Sequence, residues 1–248
     1  MALTKIGKEG ITGISNSSDA NAITITSAEN VGIGTTSPTA ISNYTSVVAN
    51  NSSGSMFELM VGGTRTANIQ TSASQTNIQT RTSIPMVFDT NSTEAMRIDA
   101  NGIITKPLQP AFSVHKNNSN QNNNAINTDV TVTFDTEAYD QNSDFASNTF
   151  TAPVTGKYFL SASIRLGQVD TSASFYSIQI ITSNRTYKII FDPNFSADLD
   201  YFTQTATIVA DMDANDTAYI VFYQSGGAAI TDIDGSSQWT YYSGYLLG

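Results

Sequence analysis

No cysteine occurs in the 248-residue chain, and histidine and tryptophan occur once each. The missing cysteine rules out a disulfide framework, thiolate-ligated zinc and a thiol nucleophile. The lone imidazole, His115, cannot build a histidine metal cluster, and any Ser-His-Asp arrangement would have to use it. Catalytic sites are rare among such residues, so a surface or interface role is the better reading. Charge is scarce as well: 13% of residues are charged, with 11 Lys and Arg against 21 Asp and Glu for a net charge of −10. That sign repels phosphate backbones and anionic membrane surfaces, which excludes nucleic acid and lipid as natural partners. No stretch of about 18 apolar residues could cross a bilayer as a helix, and the first ten residues hold no apolar run of the kind a secretory signal needs. The expectation is a chain soluble where it is made, with no catalytic residues and no organic cofactor.

What is present is short, neutral and β-prone. Apolar residues recur with period two, as in Val130-Thr131-Val132-Thr133-Phe134 and Ser177-Ile178-Gln179-Ile180, and no convincing amphipathic helix interrupts them. Turn signals fall between the runs, among them Asn101-Gly102, a hairpin pair, and Gly226-Gly227. The chain therefore reads as all-β. Its texture changes near Lys106-Pro107-Leu108-Gln109-Pro110, where we divide it into residues 1–107 and 108–248. Before that point aromatics are few and residues 64–81 contain none; after it each strand-like run carries Phe or Tyr. Burying a large side chain contributes on the order of 2 kcal/mol, whereas ordering a residue costs about 1.5 kcal/mol. The first region has too few large residues to meet that cost alone. Two of its stretches look alike, residues 25–33 and 98–104, each placing a turn between Ile-bearing strands. Such small elements become stable when identical chains pool their apolar stripes, so a trimeric stalk is expected.

Two resemblances add to this reading. In the second region Phe134, Asp140, Phe145, Phe150, Gly156, Tyr158 and Leu160 follow the spacing of the C1q/TNF-like family, and Phe150-Thr151-Ala152-Pro153-Val154-Thr155-Gly156-Lys157-Tyr158 is similar to its characteristic strand entry. The ending Ser243-Gly244-Tyr245-Leu246-Leu247 resembles that family's last core strand. The resemblance covers residues 111–248 and implies a C-terminal jelly-roll sandwich that assembles as a homotrimer. The gap from Phe145 to Phe150 is shorter than the family's usual one, which predicts a short loop. Strands are expected at 175–181, 187–191, 202–210, 218–223 and 239–247. In the first region Asn30-Val31-Gly32-Ile33-Gly34-Thr35-Thr36-Ser37-Pro38 and Ala95-Met96-Arg97-Ile98-Asp99-Ala100-Asn101-Gly102 resemble phrases of phage tail-fibre and other structural proteins, especially marine ones. This implies a virion appendage on the tail or capsid surface, assembled in the host cytoplasm. Its N-terminal region would hold other virion proteins, and its head would meet a host cell-surface glycan or protein.

Several residues are candidates for specific roles. As core or trimer anchors we take Phe134, Phe145, Phe150, Gly156, Tyr158, Tyr241, Gly244 and Tyr245. Tyr201, Trp239 and Tyr242 are candidate receptor contacts, because outward aromatics serve sugars and proteins alike. Asp211, Asp213 and Asp216 offer hard oxygen donors for calcium but lack the full EF-hand loop pattern, so solvated loop acids remain the favoured reading. Paired carboxylates among the clusters Asp192, Asp198 and Asp200, Asp211, Asp213 and Asp216, and Asp232 and Asp234 could cleave a polysaccharide, but no Trp-rich groove or extended β-helix repeat accompanies them. The Asn-rich residues 117–124 read as an exposed flexible loop. A capsid decoration or head-fibre protein is the alternative within the structural class.

Overall fold

The computed structural model describes residues 23–25, 30–33, 37–39 and 44–247, and these form 21 strands and no helix. The chain divides into two compact units, Met1–Ser92 with Met96–Thr105, and Thr93–Ala95 with Lys106–Gly248.

Nine strands precede the division: β1 Ile23–Ile25, β2 Val31–Ile33, β3 Val47–Ala49, β4 Ser55–Val61, β5 Thr64–Thr71, β6 Thr76–Thr80, β7 Met86–Thr90, β8 Thr93–Ile98 and β9 Ile104–Thr105. They make three separate three-stranded sheets, β1-β2-β3, β4-β5-β6 and β7-β8-β9. In the Asn30 phrase, the buried Asn30 accepts hydrogen bonds from the Ser46 backbone at 2.7 Å and hydroxyl at 3.0 Å. Asn30 thereby holds β3 parallel to β2. The two similar stretches are both antiparallel pairs, with Ile25 opposite Val31 and Ile98 opposite Ile104. The turn of the second is fixed by Asp99, whose carboxylate accepts the amides of Asn101 and Ile103 at 2.8 Å each. That of the first lies outside the described residues, as do residues 1–22 of the region 1–107 expected to hold other virion proteins.

The second unit is a two-sheet sandwich built from β10 Ala111–His115, β11 Val130–Thr131, β12 Thr136–Asp140, β13 Phe145–Ala146, β14 Thr149–Thr151, β15 Gly156–Val169, β16 Ala173–Thr182, β17 Thr186–Phe191, β18 Leu199–Met212, β19 Thr217–Gly226, β20 Asp232–Ile233 and β21 Tyr241–Leu246. One sheet runs β12-β10-β21-β15-β18, with β20 beside β15; the other runs β13-β14-β19-β16-β17, with β11 beside β19. Period-two alternation decides which side of each strand is covered. In β15, Tyr158, Leu160, Ala162, Ile164 and Leu166 are fully buried and face the second sheet. Between the layers the Phe112 ring stacks on Phe145 and Phe150 at 5.1 and 4.8 Å and meets Tyr242 edge-on at 4.9 Å. Phe134 completes this cluster, 6.0 Å from Tyr242.

The short Phe145–Phe150 loop is a two-residue hairpin. Ala146 pairs with Thr149, and both Ser147 and Asn148 take positive φ, the handedness that matches strand twist. Asp140 shapes the approach by accepting the amides of Asp144 and Phe145, each at 3.0 Å. The Asn-rich segment differs from the expected flexible loop. Asn124 is buried and donates to the carbonyls of Gln121 and Thr231, Gln121 pairs with Ile233, and Asn120 accepts the Gly235 amide. Its amides have internal partners, which low-complexity composition could not indicate.

Gly244 is required by close approach. A Cβ there would lie 2.6 Å from Leu160 Cδ2 and 2.8 Å from Phe112 Cε1, inside the ring cluster. Gly244→Ala is therefore expected to cost about 1–3 kcal/mol through overpacking, read as a lower midpoint in chemical denaturation.

At one end of the sandwich a buried carboxylate organises the 226–231 loop. Asp170 accepts hydrogen bonds from Ser172 through backbone and hydroxyl, from Ala229 at 2.7 Å and from Ala228. Gly227 sits at positive φ, with no room for a Cβ against Asp170 Oδ2. Burial pushes the Asp170 carboxyl up, but the Ser172, Ala229 and Ala228 hydrogen bonds outweigh it and hold the pKa at about 2, below the ordinary 3.8. A depressed folded value means this stabilisation is complete above pH ~4 and is lost as pH falls towards 2. Acid titration of stability should show that loss in the native chain but not in Asp170→Asn, which should already be less stable at pH 7.

Candidate functional site

The side of the β12-β10-β21-β15-β18 sheet that faces away from the core is unusually apolar for a solvent face. Cross-strand register assembles its rows: Ala111 opposite Tyr245, Tyr245 opposite Phe159, and Phe159 opposite Val209. Phe159 and Tyr245 are ring neighbours at 5.2 Å, while Tyr245 and Val209 are exposed. A second row of hydroxyls, Ser113, Ser243, Ser161 and Thr207, lies beside it, with Ser161 and Thr207 hydrogen-bonded at 2.9 Å. A third runs from His115 through Tyr241 and Ser163 to Thr205. Small hydroxyls between aromatic rows leave the face flat enough for another surface to approach.

Of the sequence-designated anchors, Phe145, Phe150, Tyr158 and Gly244 belong to the core side, Phe134 packs against it partly buried, and Gly156 opens β15. Tyr241 and Tyr245 lie on the outward face. Tyr242 must be corrected as a receptor contact. Its neighbour Tyr241 points out, so alternation turns Tyr242 inward, where it is 0% exposed among Phe112, Phe134 and Phe145. Its hydroxyl has no hydrogen-bonding partner among the described residues, and burial drives its pKa far above the usual tyrosine value.

The other two aromatic candidates come together around a third residue, Arg165. The Arg165 guanidinium lies 3.8 Å from the Tyr201 ring centroid and 5.3 Å from that of Trp239, and is 3.5 Å from Asp234 Oδ2. Tyr201 and Trp239 both remain exposed. Trp239 precedes β21 rather than opening it, and this lets its ring fold back over Arg165. Beside them a cleft of about 260 Å3 is lined by Asn120, Gly167, Gln168, Asp200, Tyr201, Asp232 and Asp234. Two of those acids are engaged at its rim: Asp232 accepts the Asn123 amide and Asp234 the Ser236 amide. No spacing rule links Arg165, Tyr201 and Asp234; only β15–β18 register and the 234–240 turn do.

The candidate metal ligands do not converge. Asp211 points outward from β18 towards Lys157 at 4.0 Å, Asp213 accepts from the Thr155 hydroxyl, and Asp216 accepts the Asp213 amide and the Asn184 side chain. These carboxylates serve their own turn, and among the described residues no three acidic or imidazole groups are placed to share a metal ion. The His115 Nδ1 lies 2.7 Å from the Lys116 carbonyl. Lys116 itself is buried, donating to Thr133 at 2.8 Å; desolvation lowers its pKa, and Asp135 at 3.9 Å partly opposes that.

Comparison with protein families matches residues 111–247 to the C1q domain, more than half of the chain. The chain belongs to the C1q domain family. No curated protein matches it. Among solved structures it is similar to the globular domain of zebrafish complement 1qA, at 17% identity and a TM-score of 0.42 over 56% of this chain and 98% of that one. It is also similar to murine APRIL at pH 8.5, at 11% identity and a TM-score of 0.41 over 56% of this chain and 99% of that one. Domains of the C1q family are typically non-enzymatic binding or structural modules and generally form homotrimers.

Because Trp239 is the chain's only tryptophan, its emission reports on this C1q domain's Arg165 cluster alone. Arg165→Ala is expected to shift that emission and to cost about 2 kcal/mol, since Asp234 loses its cation and two rings lose theirs.

Proposed function

We propose that the chain is a non-enzymatic virion appendage, a homotrimeric tail fibre or spike whose N-terminal region docks on the particle and whose C1q head adheres to the host surface. The observation that carries this reading is the outward face of the β12-β10-β21-β15-β18 sheet. A row formed by Tyr245, Phe159 and Val209 leaves Tyr245 and Val209 exposed among the described residues, and burying such a row between subunits is how a trimer gains stability. The virion context draws on the Asn30 and Ala95 phrases. The net charge of −10 and the absence of an assembled metal group among the described residues are compatible with a protein or glycan partner. Exposed Tyr201 and Trp239, held by Arg165, are the contacts we assign to that partner, since preorganised aromatic faces stack on sugar rings and anchor protein interfaces.

Light scattering of the full chain should give about three times 26.5 kDa. Phe159→Asp with Tyr245→Asp should reduce this to one chain while circular dichroism stays β-rich, because neither side chain belongs to the core; a wild-type monomer at micromolar concentration would overturn the trimer. Antibody labelling of virions viewed by electron microscopy should mark the tail, and labelling confined to capsomers would replace the fibre with a capsid decoration.

A further inference from the structure

The β4-β5-β6 sheet is two-sided in chemistry although neither side is covered by the described chain. On one side register aligns Phe57, Ile69 and Ile78 in a row, with Leu59 and Ala67 in the next. Phe57 is 65% exposed, Ile78 64%, and Leu59 and Ile69 50% each. The opposite side carries Glu58, Asn68, Gln70 and Gln79 beside the lone apolar Met56, and Glu58, Asn68 and Gln70 have polar partners there. Arg81 donates to Asn68 at 2.9 Å, Asn68 donates to Gln70 at 3.1 Å, and Arg65 pairs with Glu58. One side is thus mostly polar, and the other is a contiguous apolar patch of the sort that marks an interface.

We infer that the Phe57-Ile69-Ile78 face packs against the same face of two further copies of this chain, forming a three-sided β prism with the Arg81-Asn68-Gln70 side outward. This rests on the trimeric reading of the C1q head, which supplies the occupant. Lys106–Pro110 is all that separates β9 from β10, a tether of at most ~18 Å. Three joined heads therefore hold three copies of the preceding unit at an effective concentration on the order of millimolar. A foreign partner would have to compete with that concentration. The edges fit as well: β4 and β6 flank the sheet and are only seven and five residues long, so apolar faces rather than strand ladders make the contact.

The cysteine-free background makes the test direct. Ile69→Cys, with Ile78→Cys as a second reporter on the same row and Gln79→Cys as the control on the polar side, is introduced singly into the full chain and treated with a short bis-maleimide. The expected result is cross-linked dimer on denaturing gels from either apolar-row variant, at about tenfold or more over Gln79→Cys and unchanged on dilution, as tethered copies require. If light scattering gives a trimer but the three variants cross-link alike or not at all, the prism is wrong and the head trimer stands. If light scattering gives a monomer, the trimeric reading fails and the inference fails with it.

Discussion

The close packing of aromatic rings between the two sheets of the C1q domain is the constraint from which its other features follow. Phe112 can stack on both Phe145 and Phe150 only if β10 and the β13-β14 hairpin are brought face to face, and Tyr242 can reach it edge-on only if β21 runs beside β10. Gly244 makes room for the Phe112 ring, so a residue with no side chain is as necessary to the cluster as the rings are. Offset and edge-to-face contacts among such rings contribute beyond the area they bury. Those contacts fix the register of β21 against β15, and with it every residue that β21 and β15 present to the other side.

That register has a functional result. Because strand side chains alternate, placing Tyr242 in the core obliges Tyr241 to face outward, and placing Tyr158 and Leu160 inward obliges Phe159 to do the same. The apolar outer face is therefore carried on the very strands that build the core. The Arg165 cluster arises in the same way at the end of the sheet, where β15 continues past the core rings and meets Tyr201 across the β18 ladder.

Much of this was legible in the chain. Period-two runs at Val130-Thr131-Val132 and along Tyr158, Leu160, Ala162 and Ile164 identify strands and their buried side directly, and the five later strands lie where alternation and aromatics place them. The short Phe145–Phe150 gap gives a tight hairpin because backbone geometry leaves few ways to turn in two residues. Alternation also says that one of Tyr241 and Tyr242 is buried, but not which; that depends on the ring cluster, a long-range contact. Asp170 escaped notice for a similar reason. Its donors at 228 and 229 lie nearly sixty residues away, and no local pattern distinguishes a carboxylate that clamps a loop from one that faces water. The Asn-rich segment misled in the other direction, since its backbone at Gln121 and Asn123 pairs with β20 and the Asn124 side chain donates to the Gln121 and Thr231 carbonyls.

The two sheets also meet along one side without a ladder. There the Gln204 amide of β18, buried, donates across to the Ile189 carbonyl of β17 at 2.9 Å. As the edge of its sheet, the fourteen-residue β18 presents a row of backbone groups on which a foreign strand could grow. The Gln204 side chain occupies one β17 edge carbonyl and so removes one acceptor from the ladder that a strand added along this seam would need, which matters for any assembly that gathers its heads at high local density.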